Sequence, residues 1–219
     1  MKNKKYVTPS LLNVEPTERA NMAKTLIAEG IKWIHYDVMD GQFVPNTAIT
    51  LAEIKEIKKQ APKHMMDAHM MVVNPLAYLD DFKDVVDIFT FHYEAIKPTS
   101  LLALLKEKHH EYRFGLAIKP ETDVSKIVKF LPYLSLVLVM SVEPGAGGQK
   151  FMEKSLEKIN ELYKIRNKNA YQYLIQVDGG INNETGPKAF KAGVDACVAG
   201  TFLIKDPSKK QINSIINGN

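Results

Sequence analysis

Cysteine is almost absent from this chain of 219 residues. Cys197 is the only one, so no internal disulfide can form, and its place in an apolar run reads as a buried thiol in a reducing compartment. Long apolar runs are lacking too: nothing approaches the roughly 18 consecutive apolar residues of a membrane helix, which argues against a membrane partner. Residues 1–12 open with lysines, but Thr8, Pro9 and Ser10 interrupt the apolar stretch that a signal peptide would need, and a cytoplasmic location is expected. The net charge of +4 comes from lysines scattered along helix-like segments such as 53–59 and 153–168. A nucleic-acid partner would require a clustered basic stripe or a recognisable binding module, and neither is present. No linker, low-complexity tract or charge block divides the chain, and its length fits one domain over residues 1–219.

What the sequence has in abundance is alternation. Short apolar or β-branched runs trade places with longer amphipathic ones from end to end, the pattern of βα units around a parallel sheet. It predicts eight strands, at 6–12, 33–38, 65–71, 88–92, 114–118, 136–140, 173–177 and 196–199. It predicts helices over 16–29, 51–60, 75–83, 100–109, 124–130, 153–168, 184–192 and 207–216. Pro16, Pro75 and Pro207 stand at or near first helical turns, where a missing N–H is harmless, and Gly30 and Gly193 stand where helices should stop. Eight such units in this length suit an α/β fold of the (β/α)8 TIM-barrel type better than a doubly wound sheet of usually about five or six strands. A barrel places chemistry at the C-terminal ends of its strands.

Three strand ends carry the groups that could perform it. In the second strand His35, Asp37 and Met39 alternate onto one face, and in the third Asp67, His69 and Met71 do the same. If both faces point inward, His35, Asp37 and His69 come within reach of one divalent ion, three of the four ligands of a catalytic-type site. Taken singly, each has an ordinary structural explanation as a capping, salt-bridging or core residue; together they favour a site. Asp178, where the apolar seventh strand opens into Gly179 and Gly180, either caps that turn or supplies the fourth ligand and a catalytic acid. Glycine-bearing segments follow strands six, seven and eight: Glu143-Pro-Gly-Ala-Gly-Gly-Gln149, Asp178-Gly-Gly180 and Ala199-Gly-Thr201. Barrels of this kind commonly bind phosphate at that corner, because glycines let backbone N–H groups approach an anion closely.

With these residues in view, HYDVMDGQFVPN, DAHMMV, FHYEA, VMSVEPGAGGQKF, VDGGI and VAGT together resemble the ribulose-phosphate 3-epimerase family over almost the whole chain. The resemblance implies a ribulose-phosphate-binding barrel holding one divalent metal ion per subunit on His35, Asp37, His69 and Asp178. It also implies Ser10 on a substrate hydroxyl, with His69 beside the substrate. The substrate's phosphate would lie against Gly145, Ala146, Gly147 and Gly148, with Gly179, Gly180, Gly200 and Thr201 closing the cup. Met39, Met71 and Met140 would stand near the reacting carbons. The implied reaction is epimerisation at carbon 3, interconverting D-ribulose 5-phosphate and D-xylulose 5-phosphate in the pentose phosphate pathway through an ene-diolate. Asp37 and Asp178 would be the two proton-transfer groups, one on either side of the substrate.

Two imidazoles and two carboxylates make zinc the first expectation, and iron, manganese or cobalt fit the same set. The partner expected is a phosphorylated ketopentose, with a homo-oligomeric assembly implied by the family. Four positions depart from the family pattern: Glu143 for Asn, Ala146 for Phe, Lys119 for Asn and Thr201 for Ser. Other readings stay open here. They are an allulose 6-phosphate epimerase, a Schiff-base aldolase using Lys119, and a barrel that only binds metal and phosphate. A decarboxylase or lyase of the related barrels would require lysine where Met39 stands.

Overall fold

The structure is a computed structural model that describes residues 4–218; residues 1–3 and 219 of the expected domain and leading segment lie outside it. Eight parallel strands, β1 (Tyr6–Pro9), β2 (Trp33–Met39), β3 (Met65–Met71), β4 (Ile88–His92), β5 (Phe114–Ile118), β6 (Leu136–Met140), β7 (Leu174–Asp178) and β8 (Ala196–Ala199), form one sheet. Its order runs β1-β8-β7-β6-β5-β4-β3-β2, and an isolated parallel bridge between Ser10 and His35 joins the two ends. That is the (β/α)8 barrel, closed at β1 and β2 by a single residue pair.

The helices are α1 (Arg19–Ala28), α2 (Leu51–Gln60), α3 (Leu79–Phe82), α4 (Pro98–Lys108), α5 (Ser155–Asn169), α6 (Thr185–Ala192), α7 (Thr201–Ile204) and α8 (Lys209–Asn217). Helix α2 shows why such segments are helical. Thr50 and Glu53 form a reciprocal capping box, Ile54 and Ile57 are buried, and Lys58 and Lys59 sit in the last turn, where the helix dipole favours positive charge. Gly193 ends α6 at φ 120°, a conformation open to glycine.

Departures from the predicted elements have local causes. The helix predicted at 124–130 is instead two 3-10 segments, Val124–Lys126 and Val128–Tyr133, the second containing Pro132. A proline inside a helix removes a donor and clashes with the preceding turn. The predicted helices at 16–29 and 75–83 both begin as 3-10 turns with their prolines as first residues, and Pro207 precedes the Ser208 cap of α8 instead of entering the helix. Strand β1 stops at Pro9, short of the predicted Leu12, and α7 is a short extra helix after β8 that the hydrophobic pattern does not signal. Among the described residues no helix is long and apolar enough to cross a membrane.

Alternating side chains fill the barrel in layers. At the end remote from the site Trp33, Ile88, Leu136 and Ala196 form an apolar plug. Above it lie polar side chains with no exposure, Thr8, Asp67, Thr90 and Gln176. Gly115 on β5 faces Thr90: a Cβ there would stand 2.1 Å from the Thr90 Oγ1. Gly115→Ala should therefore cost about 1–3 kcal/mol of folding stability in urea denaturation. Adding Thr90→Ala to it should recover part of that loss, and a purely additive double mutant would show that the two sites do not clash.

Candidate active site

At the C-terminal mouth the register pairs Asp37 on β2 with His69 on β3 and Met140 on β6 with Asp178 on β7. The inward alternation thus brings His35, Asp37, His69 and Asp178 together, with one ligand-type atom of each lying within 4.8 Å of all the others. The His35 Nε2 is 3.4 Å from the Asp37 Oδ1 and 3.9 Å from the Asp178 Oδ2. The His69 Nδ1 is 3.2 Å and 3.8 Å from the same two oxygens, and the two ring nitrogens are 3.4 Å apart. Tetrahedral zinc with bonds of roughly 2.0–2.2 Å would separate its ligands by roughly 3.3–3.6 Å. The 3.2–3.4 Å separations among His35, Asp37 and His69 come close to that spacing, those to Asp178 are a few tenths of an ångström wider, and the donor types suit a divalent ion, so these four residues could hold one.

The hydrogen bonds behind the cluster fix which nitrogen of each ring faces it. Asp67 accepts from the Trp33 indole N–H at 2.6 Å and from the His35 Nδ1 at 2.7 Å, which turns Nε2 of His35 inward. On the other side the His92 Nδ1 donates to Glu94 Oε2 at 3.2 Å, leaving a lone pair on its Nε2 for the N–H of the His69 Nε2 at 2.8 Å. The His69 Nδ1 then presents a lone pair to the cluster. Burial lowers the pKa of His69 and takes that of His92 down to about 4, so both rings are neutral, as this pattern requires.

The two carboxylates are pushed in opposite directions. Burial works against the charge of Asp37, but His35 beside it holds its pKa well below the usual range, and the Ser10 hydroxyl donates to its Oδ2 at 2.5 Å. Asp178 has no such help. Burial first, and the negative Asp37 second, raise it from 3.8 to about 7. His35 is buried as well, yet Asp67 and Asp37 outweigh that penalty and raise its pKa.

A cavity of about 620 Å³ opens over the cluster, lined by Ser10, Met39, Met71 and Met140 and, farther along, by Gly145, Ala146, Gly147, Gly148, Gly179, Gly180, Gly200 and Thr201. All the sequence-predicted site residues thus border one space or bury themselves at its floor. Two of the glycines are dictated by packing. Gly179 has φ 123° and its Cβ would lie 2.5 Å from Val142; Gly180 has φ 62° and its Cβ would lie 2.4 Å from the Phe151 backbone nitrogen. The N–H groups of Gly147, Gly148, Gly180 and Gly200 find no acceptor among the described residues. The 143–149 loop is held by side-chain amides: Gln149 donates to the carbonyls of Glu143 (2.7 Å) and Ala146 (2.8 Å), and Asn46 donates to that of Gly145 (2.7 Å).

Sequence reasoning assigned no role to Asp67, Glu94, Asn13 or Asn46. Asp67 shared a predicted face with His69 and was visible in that sense. The others act across loops far apart in the chain, as where Asn13 donates to the Thr201 hydroxyl at 2.8 Å, and no local pattern marks them.

Fold and site define a (β/α)8-barrel enzyme whose chemistry sits at the C-terminal ends of the strands. Residues 6–204 match the family model of the ribulose-phosphate 3 epimerase family. A ribulose-phosphate 3-epimerase from Eremothecium gossypii is 39% identical, over 99% of this chain and 93% of its own length. One from Bacillus subtilis is 36% identical, over 97% and 98%. Among solved structures, a 3-keto-L-gulonate-6-phosphate decarboxylase from Vibrio cholerae superposes with a TM-score of 0.67 over 97% of this chain and 95% of its own, at 12% identity, a likeness of fold alone. The chain belongs to the ribulose-phosphate 3 epimerase family.

The raised pKa of Asp178 has a thermodynamic consequence in the metal-free protein. Its unfolded counterpart ionises near 3.8 and the folded group near 7, so the folded state loses stability relative to the unfolded one as pH rises through that window. The loss is on the order of a few kcal/mol. Asp178→Asn removes it: melted in the presence of a chelator, the variant should match the parent near pH 3.5 and exceed it increasingly up to pH ~8. A pH-independent difference would mean that Asp178 is not the group perturbed.

Proposed function

We propose that this chain is a metal-dependent epimerase acting at carbon 3 of a ketose phosphate, interconverting D-ribulose 5-phosphate and D-xylulose 5-phosphate through an ene-diolate. The observation that carries the reading is that Asp37 and Asp178, on well-separated strands, meet at the mouth of one cavity. Epimerisation beside a ketone takes a proton from one face of a carbon and returns one to the other, so it needs a base and an acid that approach from different sides. Strands β2 and β7 are separated by β1 and β8 one way round the barrel and by four strands the other way. Asp37, steadied by the Ser10 hydroxyl, is the base in one direction, and Asp178 delivers the proton on the other face. In the reverse direction the two exchange roles.

His35, Asp37, His69 and Asp178 would hold the metal, with zinc the first choice for two imidazoles and two carboxylates and iron, manganese or cobalt the alternatives. When bound it supplies Lewis-acid stabilisation of the negative charge that develops on the substrate oxygens. Met39, Met71 and Met140, all buried, line the floor with polarizable surface that keeps water from the reacting carbons. The substrate's phosphate lies against the 145–148 loop, Gly179, Gly180, Gly200 and Thr201, where the free N–H groups and left-handed glycines favour an anion. The whole chain then works as one barrel domain, in the cytoplasm and as a homo-oligomer, within the pentose phosphate pathway. A second reading, an allulose 6-phosphate epimerase, is favoured by one feature: Ala146 in the loop over the cavity leaves room for a longer sugar.

Incubated in deuterated water with ribulose 5-phosphate, the zinc-loaded protein should place deuterium on carbon 3 as the epimer forms, and faster than with allulose 6-phosphate. Exchange with neither, despite bound metal, leaves a binding barrel without turnover. Asp178→Asn should lower kcat about 10²–10⁴-fold, out of proportion to any loss of substrate affinity.

The phosphate cup is tested separately. Gly180→Ala places a methyl group against the Phe151 backbone nitrogen at a strained φ. It should raise KM about tenfold or more, with kcat much less affected, in steady-state kinetics. An unchanged KM would move the phosphate elsewhere.

A further inference from the structure

Behind His69 a chain of buried polar contacts runs away from the site and ends in a part of the barrel that no catalytic argument has used. The His69 Nε2 meets His92 at 2.8 Å, His92 meets Glu94 Oε2 at 3.2 Å, and Glu94 Oε1 accepts from the Lys119 backbone N–H at 3.0 Å and from the Thr122 hydroxyl. The loop that carries Lys119 and Thr122 is itself tied down. Lys158, buried on α5, donates its ammonium protons to the carbonyls of Lys119 (3.2 Å), Pro120 and Thr122 (2.7 Å), and no carboxylate lies in salt-bridge contact with it among the described residues. A buried ammonium ion with only carbonyl partners is costly to maintain, and its one evident use is to fix the 119–122 loop. The Lys119 ammonium in turn sits 4.5 Å from the centre of the Phe43 ring, which packs against His92 at 4.8 Å.

We infer that His92 and Glu94 are positioning residues for the metal centre: Glu94, held by the Lys158-pinned loop, fixes the tautomer of His92, and His92 fixes that of His69 so that Nδ1 faces the metal. The direction is set by donor counting from the Glu94 end, against the pull of Asp37 Oδ1 at 3.2 Å from the His69 Nδ1. Glu94 as a carboxylate can only accept, so His92 donates from Nδ1 and accepts at Nε2; His69 donates from Nε2 and is left with its Nδ1 lone pair at the cluster. Exchanging the carboxylate for an amide breaks this logic, because an amide has one acceptor oxygen and must turn its NH₂ group towards one of three donors. The inference rests on the proposed metal role of His69, and its test is chosen to separate the two.

The test uses the full chain with Glu94→Gln and, as a milder change, Thr122→Val, which deletes one of the three donors to Glu94. In the metal-free protein, long-range proton–nitrogen NMR spectra of the imidazole rings read the His69 tautomer directly. The parent should show His69 protonated on Nε2 alone, and Glu94→Gln a mixture of both forms. Zinc affinity, read by competition with a chromophoric chelator, should fall about 10–100-fold in Glu94→Gln and less in Thr122→Val. A parent-like tautomer and unchanged zinc affinity in a folded Glu94→Gln would overturn the inference; if that variant does not fold, the same two results in Thr122→Val decide it. A parent that shows the single tautomer but binds no zinc would instead overturn the metal reading and leave the relay from Glu94 to His69 standing.

Discussion

Two carboxylates and two imidazoles cannot be buried within 4.8 Å of one another without something to balance them, and that constraint governs the architecture around the barrel mouth. In the metal-free chain the balance comes from protons. His35 is drawn towards its charged form, and Asp178 keeps a proton to about pH 7. The same four atoms that share protons badly share a divalent cation well, because each can turn a lone pair inward. The opposite pulls on Asp37 and Asp178 come from the same crowding: the residue with the better partners ionises first.

That arrangement demands support, and the barrel supplies it from two directions. On the β2 side, Trp33 and Asp67 lock His35 from within the interior layers, using polar side chains where a barrel core would ordinarily be apolar. On the β4 side, the lock on His69 runs outward through His92 and Glu94 to a loop fixed from α5. Buried polar chains of this kind are stabilising only when each donor and acceptor is satisfied, and these two are. The orphaned atoms of the interior, Thr90 Oγ1 and Gln176 Oε1, belong to the layer beneath.

The likeness in fold to a decarboxylase at 12% identity shows how little the barrel alone says about chemistry. In this chain Met39, apolar and 6% exposed, lines the cavity wall.

The sequence by itself determined the eight βα units, the inward faces of β2 and β3, and the strand ends at which His35, Asp37, His69 and Asp178 appear. Each of these is written in local periodicity: alternation by two along a strand, and amphipathic runs between strands. It missed the 3-10 segments after β5 and the extra helix after β8, because Pro132 and the short 201–204 run carry no sustained helical period. Only the tertiary structure decided how the four ligand-type groups face one another, which nitrogen of each ring points inward, and that Asp67 and Glu94 stand behind them. Those facts depend on contacts between strands far apart in the chain, as where Gln176 on β7 donates across the barrel to Thr8 on β1, 168 residues away. Closing the sheet on itself sets such distances, and no pattern within a single strand encodes them.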